Sequence, residues 1–192
     1  MKLEIILCGG NPEPLPWEED FEYVPDVFSH IDPDELDLEW ETHHITLYGN
    51  RVEVPRRIVM YGGAYTYSGV SHPAKAFPAE LETMRQAIAS RTGRKFNSCL
   101  CNLYRDGNDS VGWHSDADYN HGGQAWIASV SLGATRRFRI RNIETRETHT
   151  LFLEHGSLLI MKSFAQDKWQ HCVPKTKKAV QPRTNLTFRH IL

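Results

Sequence analysis

Residues 102–118 read NLYRDGNDSVGWHSDAD and carry the densest chemistry in the chain, with His114 and Asp116 two positions apart. A histidine and a carboxylate at that spacing can share one metal ion. A second histidine would complete a three-ligand set with open coordination positions, which suits non-haem Fe(II) and O2. The HxD pattern alone is a weak signal: with ten histidines, an Asp two positions on occurs by chance in roughly half of such chains. His30-Ile31-Asp32 is a second instance, where Asp32 reads as a helix N-cap before Pro33.

For the third ligand the sequence offers His171, in WQHCVP. On position alone, a hydrogen-bonded core histidine is the commoner reading of such a residue. The remaining histidines fit less well: His43 and His44 precede a hairpin, His121 sits in a Gly loop, His149 and His155 flank a turn, and His190 is near the end. The segment RTNLTFR bears on the choice. As a strand it puts Arg183, Asn185, Thr187 and Arg189 on one face and Leu186 and Phe188 on the other. If the apolar face packs into a core, the polar face is either solvated or lines a cavity. Two arginines in a cavity call for an anion, because burying them unneutralised is prohibitively costly. Asn102 and Tyr104 likewise share a strand face. Two histidines, a carboxylate, two arginines and this pair describe an iron centre beside a dicarboxylate.

The elements that must position these residues follow from patterning. The chain has 192 residues, 40% hydrophobic and 24% charged, which suits one domain with a substantial core. A net charge of -2 excludes a global positive field, so any nucleic-acid contact must come from a local patch. The apolar run in MKLEIILCGG is too short for a signal h-region or a membrane span and contains Glu4. A cytoplasmic location is therefore expected, or a nuclear one in a eukaryote, with no membrane partner. Four scattered cysteines predict neither a disulfide framework nor a zinc site.

Residues 9–20 read as an irregular surface leader. Asp32, Pro33 and the following acids predict a short helix to about Trp40. Residues 45–60 predict a hairpin turning at Gly49-Asn50, and 61–78 a long loop or lid. Pro78 opens a helix to about Thr92, with Leu81, Met84 and Ile88 on one stripe and Gly93 as its stop. Strands are predicted over 96–104, 125–132, 136–141, 148–153, 157–162 and 183–192, a mainly β sandwich or barrel with flanking helices.

The order NxYxxG, HxD, a distal His and RxNxTxR, from about residue 45 to 192, resembles the AlkB family of Fe(II)- and 2-oxoglutarate-dependent dioxygenases that demethylate nucleic-acid bases. The resemblance implies a double-stranded β-helix, or jelly roll, with an N-terminal substrate-binding lid and hairpin. One domain would span 1–192: leader, short helix, finger hairpin and lid over 1–78, then helix and catalytic core over 79–192. His114, Asp116 and His171 would bind Fe(II). Asn102, Tyr104, Arg183, Asn185, Thr187 and Arg189 would bind 2-oxoglutarate, one arginine pairing with each carboxylate end. With O2 as the other cosubstrate, an N-methyl group would leave a base as formaldehyde while 2-oxoglutarate becomes succinate and CO2.

On the substrate side, Tyr65, Tyr67 and Ser68 resemble the family's lid, with Tyr67 as a stacking platform for a flipped base. Asp118 matches the position that senses the base. The hairpin ITLYGNRVEVPRR resembles the finger of the homologue specialised for double-stranded DNA, with Tyr48 as a wedge and Arg51, Arg56 and Arg57 near phosphates. Arg137, Arg139 and Arg141 form one basic strand face, read as solvated rather than as a phosphate ridge. Thr150 stands where the resemblance would place a substrate-contacting arginine. The expected partner is methylated double-stranded DNA, carrying 1-methyladenine or 3-methylcytosine, met by a monomer. The alternatives are the same chemistry on RNA, a non-catalytic nucleic-acid-binding module, and an oxygenase acting on protein or small molecules.

Overall fold

The computed structural model describes residues 17–47, 49–63, 65–67, 70–72, 74–116 and 126–191. In chain order the first elements are β1 (Phe21–Val24), a 3-10 turn (Pro33–Glu35), β2 (Glu41–Leu47), β3 (Asn50–Gly62), β4 (Tyr65–Tyr67) and β5 (Val70–His72). Helix α1 (Ala79–Thr92) leads into β6 (Ser98–Tyr104), β7 (Val111–His114), β8 (Ile127–Gly133), β9 (Arg136–Asn142) and β10 (Thr148–Leu153). The chain closes with β11 (Ser157–Met161), α2 (Ala165–Lys168), β12 (Trp169–Val173) and β13 (Arg183–Arg189).

Two antiparallel sheets form a jelly roll. The larger has seven strands in the order β1-β11-β8-β13-β6-β3-β2, and the smaller has four, β10-β9-β12-β7. Between them lies a core in which Tyr104, Ile127 and Leu159 of the large sheet meet Phe138, Ile140 and Leu151 of the small one. A second core covers the opposite face of the large sheet, where Leu81, Met84 and Ile88 of α1 pack on Cys99, Cys101, Leu186 and Phe188. The central strands are thus buried on both faces. Their period of two decides which core each side chain enters.

Several expectations hold. Helix α1 runs to Thr92 and ends on Gly93 in the left-handed region, whose N–H bonds to the Ala89 carbonyl. The β2–β3 hairpin turns at Gly49, with φ +80. Other expectations need correction. The helix foreseen from Asp32 to Trp40 is a single 3-10 turn over Pro33–Glu35. Asp32 does cap it, accepting the Asp34 N–H. Leu36 and Leu38 alternate with acids, and that period of two favours an extended chain laying both leucines into the core. The segment foreseen as a structureless lid continues β3 to Gly62 and then forms the β4–β5 hairpin. The surface leader also ends early: Asp20 is buried, and β1 joins the edge of the large sheet against β11. Strands β1, β2 and β3 all belong to that sheet. Strands β7 and β12 were not foreseen, because their inward positions are partly polar.

Gly62 joins β3 to the β4–β5 hairpin at φ +105, and a Cβ there would lie 2.1 Å from the Asn97 carbonyl oxygen. At Gly49, φ is +80 and an added Cβ meets nothing within 4 Å. Gly62→Ala is therefore expected to cost on the order of 3 kcal/mol, combining left-handed strain with a backbone collision. Gly49→Ala carries only the strain, about 1 kcal/mol. Urea midpoints of the two variants check the difference.

Candidate active site

The pocket opens between the sheets, and register assembles it. On β12, His171 pairs directly with His114 on β7, which places both imidazoles on the inner face with ring centroids 4.2 Å apart. Asp116 follows just beyond the end of β7. The ligand atoms of the three residues lie within 4.8 Å of one another, with His114 Nε2 3.8 Å and His171 Nε2 3.9 Å from the Asp116 oxygens. These separations are too long for hydrogen bonds and short enough for one ion to span.

The donor atoms are prepared for a metal. His114 Nδ1 lies 2.9 Å from the Gly112 carbonyl, which can only accept; Nδ1 therefore donates to it, and Nε2 is the ring nitrogen turned toward Asp116. Burial and the neighbouring His114 push the His171 pKa down to about 3, so His171 is neutral near pH 7 and offers a lone pair. Phe138 stacks on its ring at 5.3 Å. For Asp116, burial raises the pKa, but Arg189, His171 and His114 outweigh it and hold the carboxyl at about 2. Arg189 donates to Asp116 Oδ2 at 3.0 Å.

Neighbouring segments fix the HxD turn. The Asp116 N–H donates to Gln166 Oε1 of α2 at 2.8 Å, and Ser115 Oγ donates to the Trp169 carbonyl. Trp169 in turn donates its indole N–H to Asp20, tying β1 and the segment before it to the strand that carries His171.

Beside the triad lies the anion end of the pocket. On β13, Arg183 pairs with Tyr104 and Asn185 with Asn102 of β6, so the two sets inferred from alternation face the same cavity. Arg183 is 1% exposed. Its Nη2 donates to Ser131 Oγ and its guanidinium lies over the Tyr104 ring, while Nε and Nη1 have no hydrogen-bond partner. Burial lowers its pKa to about 10, which leaves it charged near pH 7. A buried guanidinium with two unmatched donors is costly unless a carboxylate fills the space before it. Asn185 and Thr187 line the same wall, where Asn185 Nδ2 donates to Ser129 Oγ and the Val130 carbonyl and Thr187 Oγ1 donates to Asn185 Oδ1.

Arg56 departs from its expected place near phosphates. It is buried in the pocket wall, donating from Nε to Asn102 Oδ1 at 2.7 Å, because its phase on β3 turns it inward. Arg57, one residue on, donates outside to the Thr42 hydroxyl. Tyr48, Ser68 and Asp118 lie outside the described residues. Tyr65 and Tyr67 are described only as backbone of β4. Sequence reading missed Ser129 and Ser131, although the alternation in ASVSL marks them as sharing a face. It also missed Gln166 and the buried Arg136, which donates to the carbonyls of Asp106, Asp109 and Pro174. No local pattern marks those two.

Comparison with known proteins agrees with this geometry. Residues 31–189 match the 2OG-Fe(II) oxygenase superfamily. The human protein named alpha-ketoglutarate-dependent dioxygenase alkB homolog 3 is 43% identical over 148 residues, covering 71% of this chain and 52% of that protein. The chain thus spans about half the length of this curated relative. The mouse protein named DNA oxidative demethylase ALKBH2 is 36% identical over 186 residues, covering 86% of this chain and 78% of that protein. The solved structure of OsALKBH1 shares the fold, with TM-score 0.66 at 18% identity over 89% of this chain and 98% of that one. The chain belongs to the AlkB family of the 2OG-Fe(II) oxygenase superfamily.

Proposed function

We propose that this chain carries out Fe(II)- and 2-oxoglutarate-dependent oxidative demethylation of 1-methyladenine and 3-methylcytosine in DNA, as a direct-reversal repair enzyme. The observation that carries the oxygenase reading is Arg183, a buried cation with two unmatched donors in the same pocket as a His-Asp-His cluster. His114, Asp116 and His171 would hold Fe(II). Bound there, the ion supplies O2 activation, by which 2-oxoglutarate is converted to succinate and CO2 and a base N-methyl group is lost as formaldehyde. Arg183 holds the far carboxylate, and the Tyr104 ring beneath it orients the guanidinium. Arg189 bridges toward the ligand Asp116 and favours the near carboxylate. Gln166 keeps Asp116 turned inward.

Support for a nucleic-acid substrate comes from the relatives' names, and support for duplex DNA from the β2–β3 hairpin with its left-handed glycine. A monomer working in the cytoplasm, or in the nucleus of a eukaryote, completes the proposal. Matched methylated duplex DNA, single-stranded DNA and RNA, each assayed for succinate and formaldehyde, provide the test. Fastest turnover is expected on duplex DNA; a strong RNA preference would overturn the DNA assignment.

A further inference from the structure

The outer face of the small sheet lies behind the iron-ligand strands and has no role in the pocket. Strand β9 presents Arg137, Arg139 and Arg141 there, while Phe138 and Ile140 point into the core. Their cross-strand neighbours are neutral. On the β10 side these are Phe152, Thr150 and Thr148 in register; on the β12 side, Cys172 faces Arg139 and Gln170 faces Arg141. Among the described residues, none of the three arginines forms an ion pair. That is unusual in a chain whose net charge is -2, since surface charge of both signs is ordinarily interspersed.

The row is also pre-organised. Trp113 on β7 lies under two of its members, with Arg141 4.4 Å and Arg139 5.4 Å from the indole centroid. Such stacking holds guanidinium planes in place and lowers the entropy lost when they bind a ligand. At the other end Phe152 is 56% exposed, beside Arg137 and Lys178 in one concavity. Alternate strand residues stand ~7 Å apart, comparable with consecutive phosphates of one nucleic-acid strand. Geometry links the row to the pocket: β7 is the edge of its sheet, with His114 facing inward and Trp113 outward. A polymer leaving the pocket mouth over that edge meets Trp113 first and then the arginines.

We infer that the outer face of β9, flanked by Trp113 and Phe152, is a binding track for the phosphodiester backbone of the nucleic acid whose base enters the pocket. The inference rests on the demethylase reading of that pocket. It replaces the reading of this face as merely solvated. Affinity supplied here is electrostatic and independent of sequence, so it weakens as salt rises and the counterions that binding releases gain less entropy.

The experiment compares wild type, Arg137→Thr/Arg139→Thr and Trp113→Leu in two assays: binding to a long methylated duplex across a salt series, and turnover of a methylated trinucleotide that fills only the pocket. Threonine suits the strand, and the exposed position of Arg137 makes Arg137→Thr a further variant that preserves the fold. The double variant is expected to lose duplex affinity, with its log-log salt slope shallower by about one unit per arginine, and to turn over the trinucleotide like wild type. Trp113→Leu is expected to weaken duplex binding several-fold. An unchanged slope and affinity, or an equal loss on the trinucleotide, would overturn the track. Should wild type fail to turn over the trinucleotide, the pocket reading falls, and the salt slopes still decide the track.

Discussion

Asp116→Ala is expected to reduce succinate release to background and to abolish stoichiometric iron binding. Asp116 is the only carboxylate in the triad, and its two oxygens face one imidazole each. Without it, two imidazoles remain, a set that holds Fe(II) poorly because the anionic donor is gone. The substitution has a second effect, since it strips Arg189 of the carboxylate it bonds at 3.0 Å in the interior. Breaking such a buried pair costs about 3–5 kcal/mol, so Asp116→Ala is also expected to lower the melting temperature. Asp116→Asn separates the two effects. Its amide oxygen can still accept from Arg189 in a side chain of the same shape, so the fold is largely kept while metal affinity falls. Iron titration followed beside thermal melting gives both readouts. Wild-type turnover by the alanine variant would remove Asp116 from the metal site.

Arg183→Met is expected to raise the KM for 2-oxoglutarate by on the order of a hundredfold and leave the protein at least as stable. Arg183 keeps its charge near pH 7 although it is buried and two of its donors are unmatched, so the free protein bears a desolvation cost that a dicarboxylate relieves. Truncating one side of a buried charge pair costs about 2–5 kcal/mol in binding. An apolar side chain of similar volume removes the charge without opening a cavity, and such exchanges are neutral or stabilising by about 1–4 kcal/mol. Turnover at saturating 2-oxoglutarate should fall less than kcat/KM, because the triad is untouched. Steady-state kinetics and a urea titration check the two halves, and an unchanged KM would separate Arg183 from the cosubstrate.

These expectations draw on the two levels at which the chain can be read. Alternation in RTNLTFR and NSCLCNLY was legible in the sequence, because side-chain direction within one strand is a local property. So were α1 with its glycine stop and the Asp32 cap, whose hydrogen bonds span a few residues. The helix assigned after Asp32 failed at the same level: Leu36 and Leu38 already stood at a strand period.

Local patterning was thus enough for the donor types, the common face of Arg183 and Arg189, and the common face of Asn102 and Tyr104. That the polar face of β13 looks into a cavity instead of solvent follows from the packing of the two sheets, because alternation says which residues share a face and not what covers it. Packing likewise sets His171 opposite His114, since the β12–β7 register joins segments far apart in the chain. The inward turn of Arg56 and the three carbonyls gathered by Arg136 belong to the same class. Their partners come from distant strands and loops, and which of them meet is set by packing across the two sheets.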